Sequence, residues 1–156
     1  MSLTEDLARA QTIFIDTAVV IYHVEAHPVF GELAREAVHT FRSGDVRAFT
    51  SAMTLVEVLP KPVAAGREDV VATFLDFLLH TRNLALLEVT VAMAVKAGRL
   101  RGQYRGLRAA DAVQLAAAIL AGARAFVTND AGLKKVRETR VVLLSDCLPS
   151  SAPPKP

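Results

Sequence analysis

Four acidic residues have the types and positions needed for metal chemistry, namely Asp16, Glu57, Asp111 and Asp130. Clustered carboxylates repel one another and raise each other's pKa. A hard divalent cation removes that penalty, and a ligand set made only of oxygen atoms favours Mg²⁺ or Mn²⁺. Such an ion lowers the pKa of a bound water and stabilises charge on a phosphoryl oxygen. If the four acids converge, the pattern predicts metal-assisted chemistry on a phosphate group.

Each acid also has a purely structural interpretation. Asp16 can cap the N-terminus of a helix that begins near Ala18, and Asp111 can interact favourably with the dipole of its own helix. Asp130 lies in an Asn-Asp-Ala-Gly segment that is typical of a turn or cap. Glu57 is harder to explain in this way, because it lies in the apolar stretch MTLVEVLP, where a buried lone carboxylate is costly.

The elements that must position these acids alternate between strands and helices. Apolar, β-branched runs predict five strands, at residues 12–15, 46–50, 84–89, 125–128 and 141–144. Helical periodicity predicts helices at 5–10, 18–25, 28–42, 51–57, 68–80, 90–102 and 108–120, with a helical turn at 133–136. This order predicts an α/β fold, a three-layer α/β/α sandwich with a five-stranded parallel sheet and right-handed crossovers.

This arrangement places the acids together. In open α/β sheets, ligands bind at the carboxyl ends of the strands. Asp16 directly follows the first strand, Asp130 follows the fourth, and Glu57 lies about two turns into the helix after the second strand. The helix that carries Asp111 in its first turn leads into the fourth strand, so it must run antiparallel to that strand. Its N-terminus therefore lies beside Asp130, and four distant segments meet at one edge of the sheet.

Composition limits the class of protein. The 156 residues fit one domain, expected over 1–148, and the Pro-rich segment 149–156 is expected to be a disordered tail. No apolar run is long enough to span a membrane. The lone Cys147 and the absence of a signal-like N-terminus favour a cytoplasmic setting. A net charge of only +2 does not identify a nucleic-acid binder, so any RNA contact must come from a local patch.

Four segments together resemble the PIN-domain family, especially VapC-type toxin ribonucleases. They are IFIDT at 13–17, TSAMTLVEV at 50–58, LRAADAVQLA at 107–116 and FVTND at 126–130. Each segment alone is weak evidence, but four in this order at typical spacings are fairly specific. Two features depart from the family pattern: about ten residues precede the first strand, and Gly132-Leu133 replaces an aromatic residue that is common after the last acid.

The resemblance implies a PIN-like sheet, a divalent-metal site and endoribonuclease activity. It places Asp16, Glu57, Asp111 and Asp130 at the family's four acidic positions, which are expected to be catalytic and metal-binding. It also implies accessory polar roles for Thr17, Thr128 and Asn129. Homodimers, an RNA substrate and, for the toxin branch, a cognate antitoxin of a type II toxin-antitoxin pair are implied as well. The alternative is a PIN-like module that binds RNA or a partner without cutting.

A basic segment leads into Asp111, formed by Lys96, Arg99, Arg101, Arg105 and Arg108. It is either a solvated helix face or a phosphate-binding surface. We predict Arg105, Arg108 and Lys134 as substrate-binding residues, and Lys135 and Arg137 are further candidates for the RNA backbone. Tyr104 either stacks on a base or packs half-buried.

Other constellations fit less well. His23 and His27 have the i, i+4 spacing of a zinc-binding helix, but Pro28 ends that helix at once and HExxH is absent. The glycines near Gly102 lack the GxxxxGK[ST] pattern of a P-loop. A haloacid-dehalogenase-type phosphatase requires a second Asp two residues after the first, where this chain has Ala18. Helix 68–80 carries apolar residues on more than one stripe, which favours a dimer or antitoxin surface.

Overall fold

A computed structural model describes residues 1–150 and contains one five-stranded sheet. All strand pairs are parallel, in the order β3-β2-β1-β4-β5. The strands are β1 (Thr12–Ile15), β2 (Arg47–Ser51), β3 (Leu84–Leu87), β4 (Ala125–Thr128) and β5 (Val141–Leu143). The strand order reverses beside β1, where the chain crosses from the β1-β2-β3 half to the β4-β5 half. In open α/β sheets this is where ligands bind.

Helices cover both faces of the sheet. They are α1 (Leu3–Ala10), α2 (Thr17–Val24), α3 (Gly31–Arg42), α4 (Met53–Val58), α5 (Pro60–Ala64), α6 (Glu68–His80), α7 (Val91–Gln103) and α8 (Ala109–Leu120). Two 3₁₀ segments, Ala131–Lys135 and Leu144–Cys147, flank β5. The predicted three-layer α/β/α sandwich with a five-stranded parallel sheet is confirmed.

The hydrophobic core is split by the sheet into two layers. Ile13 and Ile15 of β1 point toward helices α1, α2, α3 and α6, whereas Phe14 points toward α7 and α8. Phe14 stacks on Phe126 of β4, with ring centroids 5.3 Å apart. Because neighbouring residues of a strand face opposite sides, a central strand that is apolar throughout must be covered on both sides.

Helix α8 has small side chains on its buried face. Ala116, Ala117 and Ala118 are fully buried and allow close packing on the sheet and on α7. The helix ends at Gly122, whose φ of +73° is in the left-handed region that glycine adopts without strain. This turn sends the chain back into β4 and places the first turn of α8 above the carboxyl end of that strand.

Several predicted boundaries shift. Strand β3 stops at Leu87 instead of residue 89, and β2 includes Ser51. The predicted helix at 28–42 begins only at Gly31, because His27 accepts the N–H groups of Val29 and Phe30 in a turn. Helix α5 is not predicted by the sequence analysis. Its Pro60 lies in the first turn, where proline is tolerated since its missing N–H has no intrahelical partner.

The apolar residues of α6 are mostly covered within the chain. Phe74, Phe77 and Leu78 are buried and Val70 is half-buried, whereas Leu79 is exposed. Because most of these side chains are covered within the chain, the prediction of a dimer or antitoxin surface on α6 loses most of its support. No helix within residues 1–150 combines the length and apolar character needed to cross a membrane. The predicted tail at 149–156 lies largely outside the described residues.

Candidate active site

Asp16 lies at the C-terminal end of β1 and caps helix α2. Its extended backbone (φ −72°, ψ 160°) turns the chain into the helix. Its Oδ1 accepts the Thr17 N–H at 2.8 Å, and its Oδ2 accepts the Thr128 hydroxyl at 2.7 Å. The carboxylate is nevertheless part of a cleft, with 7% of the residue exposed. The structural interpretation of Asp16 is thus correct, and it does not exclude a functional one.

Burial disfavours ionisation of the Asp16 carboxyl group. Desolvation is the main cause that raises its pKa to about 6, while the bonds from Thr128 and Thr17 lower it. The charges of Asp111 and Glu57 also raise it. These acids therefore act on one another electrostatically, which is the behaviour expected of carboxylates gathered at one site.

Asp111 is the second buried acid of the site. It lies in the first turn of α8 and is 7% exposed. The Arg108 guanidinium donates from Nε at 2.9 Å and from Nη2 at 3.4 Å. Arg108 remains mostly exposed, and its pKa is raised mainly by the hydrogen bond to Asp111. A guanidinium in this position can neutralise Asp111 and still reach an anion in the cleft.

Glu57 and Asp130 form the exposed side of the site. The Glu57 Oε1 accepts the Thr17 hydroxyl at 2.8 Å, and the Asp130 Oδ1 accepts the Gly132 N–H at 2.8 Å. Both residues are exposed. Glu57 avoids the cost of burial in its apolar stretch, because α4 turns its side chain out of these surroundings into the cleft.

One cleft of about 480 Å³ is lined by all four acids and by Arg108. Among the ion pairs of residues 1–150, only that between Arg108 and Asp111 lies in this cleft. The four acids therefore meet at one cleft, as the order of strands and helices predicts. The described residues contain no group of three or more His, Cys, Asp or Glu side chains placed to hold one ion. Each of the four carboxylates instead accepts a hydrogen bond from a neighbouring group of the protein.

The donor set fits a hard divalent cation. The four acidic groups that line the cleft provide oxygen atoms as ligands. Their negative charges exceed the positive charge of the one arginine that lines the same cleft. Asp16 is buried with no cation paired to it within residues 1–150, which is costly for a charged group. A divalent cation held in the cleft would relieve this cost. Asp16, Glu57, Asp111 and Asp130 are the residues that would hold it.

The three accessory residues differ in their contacts. Thr128 is fully buried; it donates to Asp16 and accepts the Asp130 N–H at 3.1 Å, so it links two acids. Thr17 links Asp16 to Glu57. Asn129 donates to Tyr22 and accepts the Ser145 N–H at 3.1 Å. Asn129 therefore connects α2 with the 3₁₀ segment Leu144–Cys147 at the rim of the cleft.

Of the predicted substrate-binding residues, Arg108 alone lines the cleft. Lys134 pairs with Asp146 at 2.7 Å, and Arg105 lines neither the main cleft nor the smaller cavity beside it. That cavity, of about 230 Å³, is lined by Lys135 together with Asp111 and Asp130. Lys135, one of the further candidates, is therefore a second basic residue beside the acids, and its Nζ donates to the Arg105 carbonyl at 2.9 Å.

The histidines and Tyr104 have structural partners. His27 Nδ1 accepts two backbone N–H groups at 3.1 Å each. The His23 ring packs on Phe77 at 5.0 Å. The Tyr104 hydroxyl donates to Glu138 at 2.7 Å and accepts the Arg137 N–H. These contacts favour the structural interpretation of each residue over zinc binding or base stacking.

Sequence reasoning missed one polar residue behind the site. Gln114 is fully buried and donates to the hydroxyls of Thr17 and Thr54. The signal was present, since Gln114 follows Asp111 by three residues and thus shares its helix face. A polar residue on the buried face of an otherwise apolar helix needs hydrogen-bond partners.

The comparisons with known proteins agree with this fold. The PIN domain family model matches residues 13–139. VapBC2 from Rickettsia felis, solved with a promoter DNA fragment, is similar in structure with a TM-score of 0.67 and 17% identity, over 85% of this chain and 98% of that chain. DNA-bound VapBC from Salmonella typhimurium is similar with a TM-score of 0.69 and 19% sequence identity, over 85% of this chain and 98% of that chain.

A third structure is VapC20 from Mycobacterium tuberculosis, a toxin that cleaves the sarcin-ricin loop. It is similar with a TM-score of 0.57 and 20% identity, over 73% of this chain and 86% of that chain. No curated protein sequence matches the chain. The fold and the acid-lined cleft define a PIN-type α/β domain, and the chain belongs to the PIN-domain family.

Proposed function

We propose that this protein is a Mg²⁺- or Mn²⁺-dependent endoribonuclease, the toxin of a type II toxin-antitoxin pair. One observation carries the proposal: four carboxylates from four distant segments of a PIN domain line a single cleft. Asp16, Glu57, Asp111 and Asp130 are proposed as catalytic and metal-binding. When bound there, the divalent ion supplies the positive charge that activates water and stabilises a phosphoryl oxygen.

The chain's own groups have distinct roles in this proposal. The Thr17 N–H and the Thr128 hydroxyl fix both oxygens of Asp16, so its carboxylate is oriented before any ligand arrives. Arg108 holds Asp111 and is exposed enough to meet a substrate phosphate. Lys135 lies beside the acids and is suited to the next phosphate along the backbone. Positioned charge of this kind is the main source of catalysis in phosphoryl transfer.

The partners are part of the proposal. Structures similar to this chain include VapBC toxin-antitoxin complexes, which supports a cognate antitoxin that binds this protein. A homodimer and an RNA substrate are proposed from the family resemblance, and a cytoplasmic setting from the lone Cys147. Overexpression of the wild-type chain alone is expected to arrest a bacterial host, and co-expression of the antitoxin is expected to restore growth.

Cleavage of a labelled structured RNA tests the activity. We expect cleavage with Mn²⁺ or Mg²⁺, loss in EDTA, and a loss of orders of magnitude in Asp111→Asn. Asp76→Asn is the matched control, because Asp76 is exposed on α6 and pairs only with His80. Binding of RNA or antitoxin without cleavage in any divalent metal would instead identify a non-catalytic PIN-like module. Full cleavage in chelator would overturn the metal-dependent mechanism.

A further inference from the structure

A buried network of hydroxyl groups lies behind the acids and centres on Gln114. Gln114, Thr54, Thr50 and Ser51 are fully buried, and Thr17 is 6% exposed. The Gln114 Nε2 lies 3.1 Å from the Thr17 hydroxyl and 2.7 Å from that of Thr54, while its Oε1 accepts from Ser51. Apolar side chains fill such a volume at no cost in desolvation, so a polar network here requires a reason beyond packing.

The directions of these hydrogen bonds follow from the acceptor at the end of the chain of contacts. Glu57, as a carboxylate, only accepts, so the Thr17 hydroxyl must donate its single proton to Glu57 at 2.8 Å. Thr17 then accepts from the Gln114 amide and from Thr54 at 3.2 Å. Thr54, having donated to Thr17, accepts from Gln114 and from Thr50 at 2.9 Å. The hydroxyl protons of Thr50, Thr54 and Thr17 therefore all point along this chain toward Glu57, whereas the Ser51 hydroxyl donates to Gln114.

We propose that Gln114 is a positioning residue that fixes Glu57 in the cleft through the Thr17 hydroxyl. Its two N–H groups each occupy a lone pair of a threonine, which prevents both hydroxyls from donating in the opposite direction. The proposal rests on the function proposed above, in which Glu57 helps hold the divalent ion. The proposal also defines the role of Thr17. Because the Thr17 hydroxyl accepts two hydrogen bonds and donates one, its oxygen has no lone pair left to bind a metal ion.

Calorimetric titration with Mn²⁺ alone tests this role apart from cleavage. Gln114→Met keeps a similar volume but removes both donors, and we expect it to weaken Mn²⁺ binding about tenfold, as losses behind a metal ligand commonly do. Thr17→Val is expected to do the same. The double variant should be no weaker than either single variant, because both changes release the same hydrogen bond to Glu57. Thr17→Ser keeps the hydroxyl and should lose less affinity than Thr17→Val.

Thr40→Val is the matched control for a lost buried hydroxyl. Thr40 is 5% exposed and donates to the Glu36 carbonyl within α3, far from the cleft. We expect its Mn²⁺ affinity to equal that of the wild type. If Gln114→Met also binds Mn²⁺ like the wild type and only melts earlier, Gln114 is merely structural and the proposal is wrong. Additive losses in the Gln114→Met, Thr17→Val double variant also overturn it.

A stability cycle in EDTA separates this proposal from the proposed function. Gln114 and Glu57 share no hydrogen bond within residues 1–150, and the Thr17 hydroxyl connects them. The effects of Gln114→Met and Glu57→Met on unfolding should therefore be non-additive, because Glu57→Met removes the acceptor of the Thr17 hydroxyl, whereas Gln114→Met and Thr40→Val should add. This result is expected even if the wild type binds no Mn²⁺ and cuts no RNA. Additivity of Gln114→Met with Glu57→Met overturns the proposal in either case.

Discussion

Asp16 shows at the scale of a single residue how one carboxylate serves folding and chemistry together. It caps α2 through the Thr17 N–H, and it lies buried in a cleft with three other acids. The cap stabilises the helix terminus, whereas the burial opposes the charge. The two contributions can be separated by replacing the carboxylate with an amide of the same size.

Asp16→Asn is expected to stabilise the protein in EDTA at neutral pH and to abolish cleavage. Asparagine keeps the acceptor for Thr17 and caps helices as well as aspartate, but it removes a charge that burial and Asp111 disfavour. We expect a gain of about 1–3 kcal/mol in the free energy of unfolding and a loss of activity by orders of magnitude. Thermal melting in EDTA and RNA cleavage in Mn²⁺ measure the two effects. Unchanged cleavage by the folded variant would show that Asp16 is only a cap.

The pH dependence of stability gives a second measurement on the same group. The pKa of Asp16 rises from an ordinary 3.8 to about 6 on folding, so between these values the folded chain holds a proton that the unfolded chain has lost. Stability in EDTA should therefore decline as pH increases from about 4 to 6, by roughly 3 kcal/mol from this group. The difference between wild type and Asp16→Asn in chemical denaturation isolates it. A difference that does not change with pH would contradict the assignment.

Residue types and their order predicted the four acids, but not which of them are buried. The neighbours of Glu57 along the chain are apolar, yet its own side chain is exposed. The burial of Glu57 depends on where α4 lies relative to α2. The six-residue sequence of α4 does not determine that position. Gln114 was missed for a related reason: its partners come from β2, α2 and α4, and only the folded chain brings these segments together.

The link between α8 and β4 decides, at the scale of elements, where Asp111 lies. Gly122 turns the chain with φ +73°, a conformation that costs about 1–2 kcal/mol for a residue with a side chain. Gly122→Ala is expected to destabilise the protein by about 1 kcal/mol, while cleavage per folded molecule is retained. Chemical denaturation measures the first effect and a cleavage assay at low temperature the second.

Gly98→Ala is the matched control for that prediction. Gly98 lies within α7, and a Cβ there meets nothing within 4 Å. Alanine in a helix interior is favoured over glycine by about 0.5–1 kcal/mol, so this variant should be more stable than the wild type. Equal effects of the two substitutions would show that the backbone at Gly122 is not restricted in the way its φ indicates.

Element boundaries were less predictable than element identity. The alternation of strands and periodic helices was sufficient for all five strands, since short apolar or β-branched runs such as that of β1 separate the helical segments. The sequence analysis does not predict helix α5, because its first residue, Pro60, comes two residues after α4 and is also typical of the end of a helix. Proline both ends a preceding helix and begins a following one, and the local sequence does not separate these cases.

At the scale of the whole molecule, the acids of the cleft and the stability of the fold are coupled. Three layers of structure must be assembled before β1, α4, β4 and α8 bring the four carboxylates to one edge of the sheet. Their repulsion, partly offset by Arg108, is therefore a cost of folding in the absence of a cation. Any ion that binds the folded chain and not the unfolded one raises stability by mass action.

Mn²⁺ at about one hundred times its dissociation constant should therefore stabilise the wild type by about 2.7 kcal/mol. For a chain of 156 residues, this corresponds to a rise in melting temperature of roughly 5–10 °C. The rise should be small in Asp16→Asn and in Asp111→Asn, since each removes a charged ligand, and unchanged in Asp76→Asn. Differential scanning fluorimetry against Mn²⁺ concentration measures all four proteins. A rise of the same size in Asp16→Asn would place the bound ion elsewhere on the molecule, because that variant lacks the buried carboxylate on which the proposed site depends.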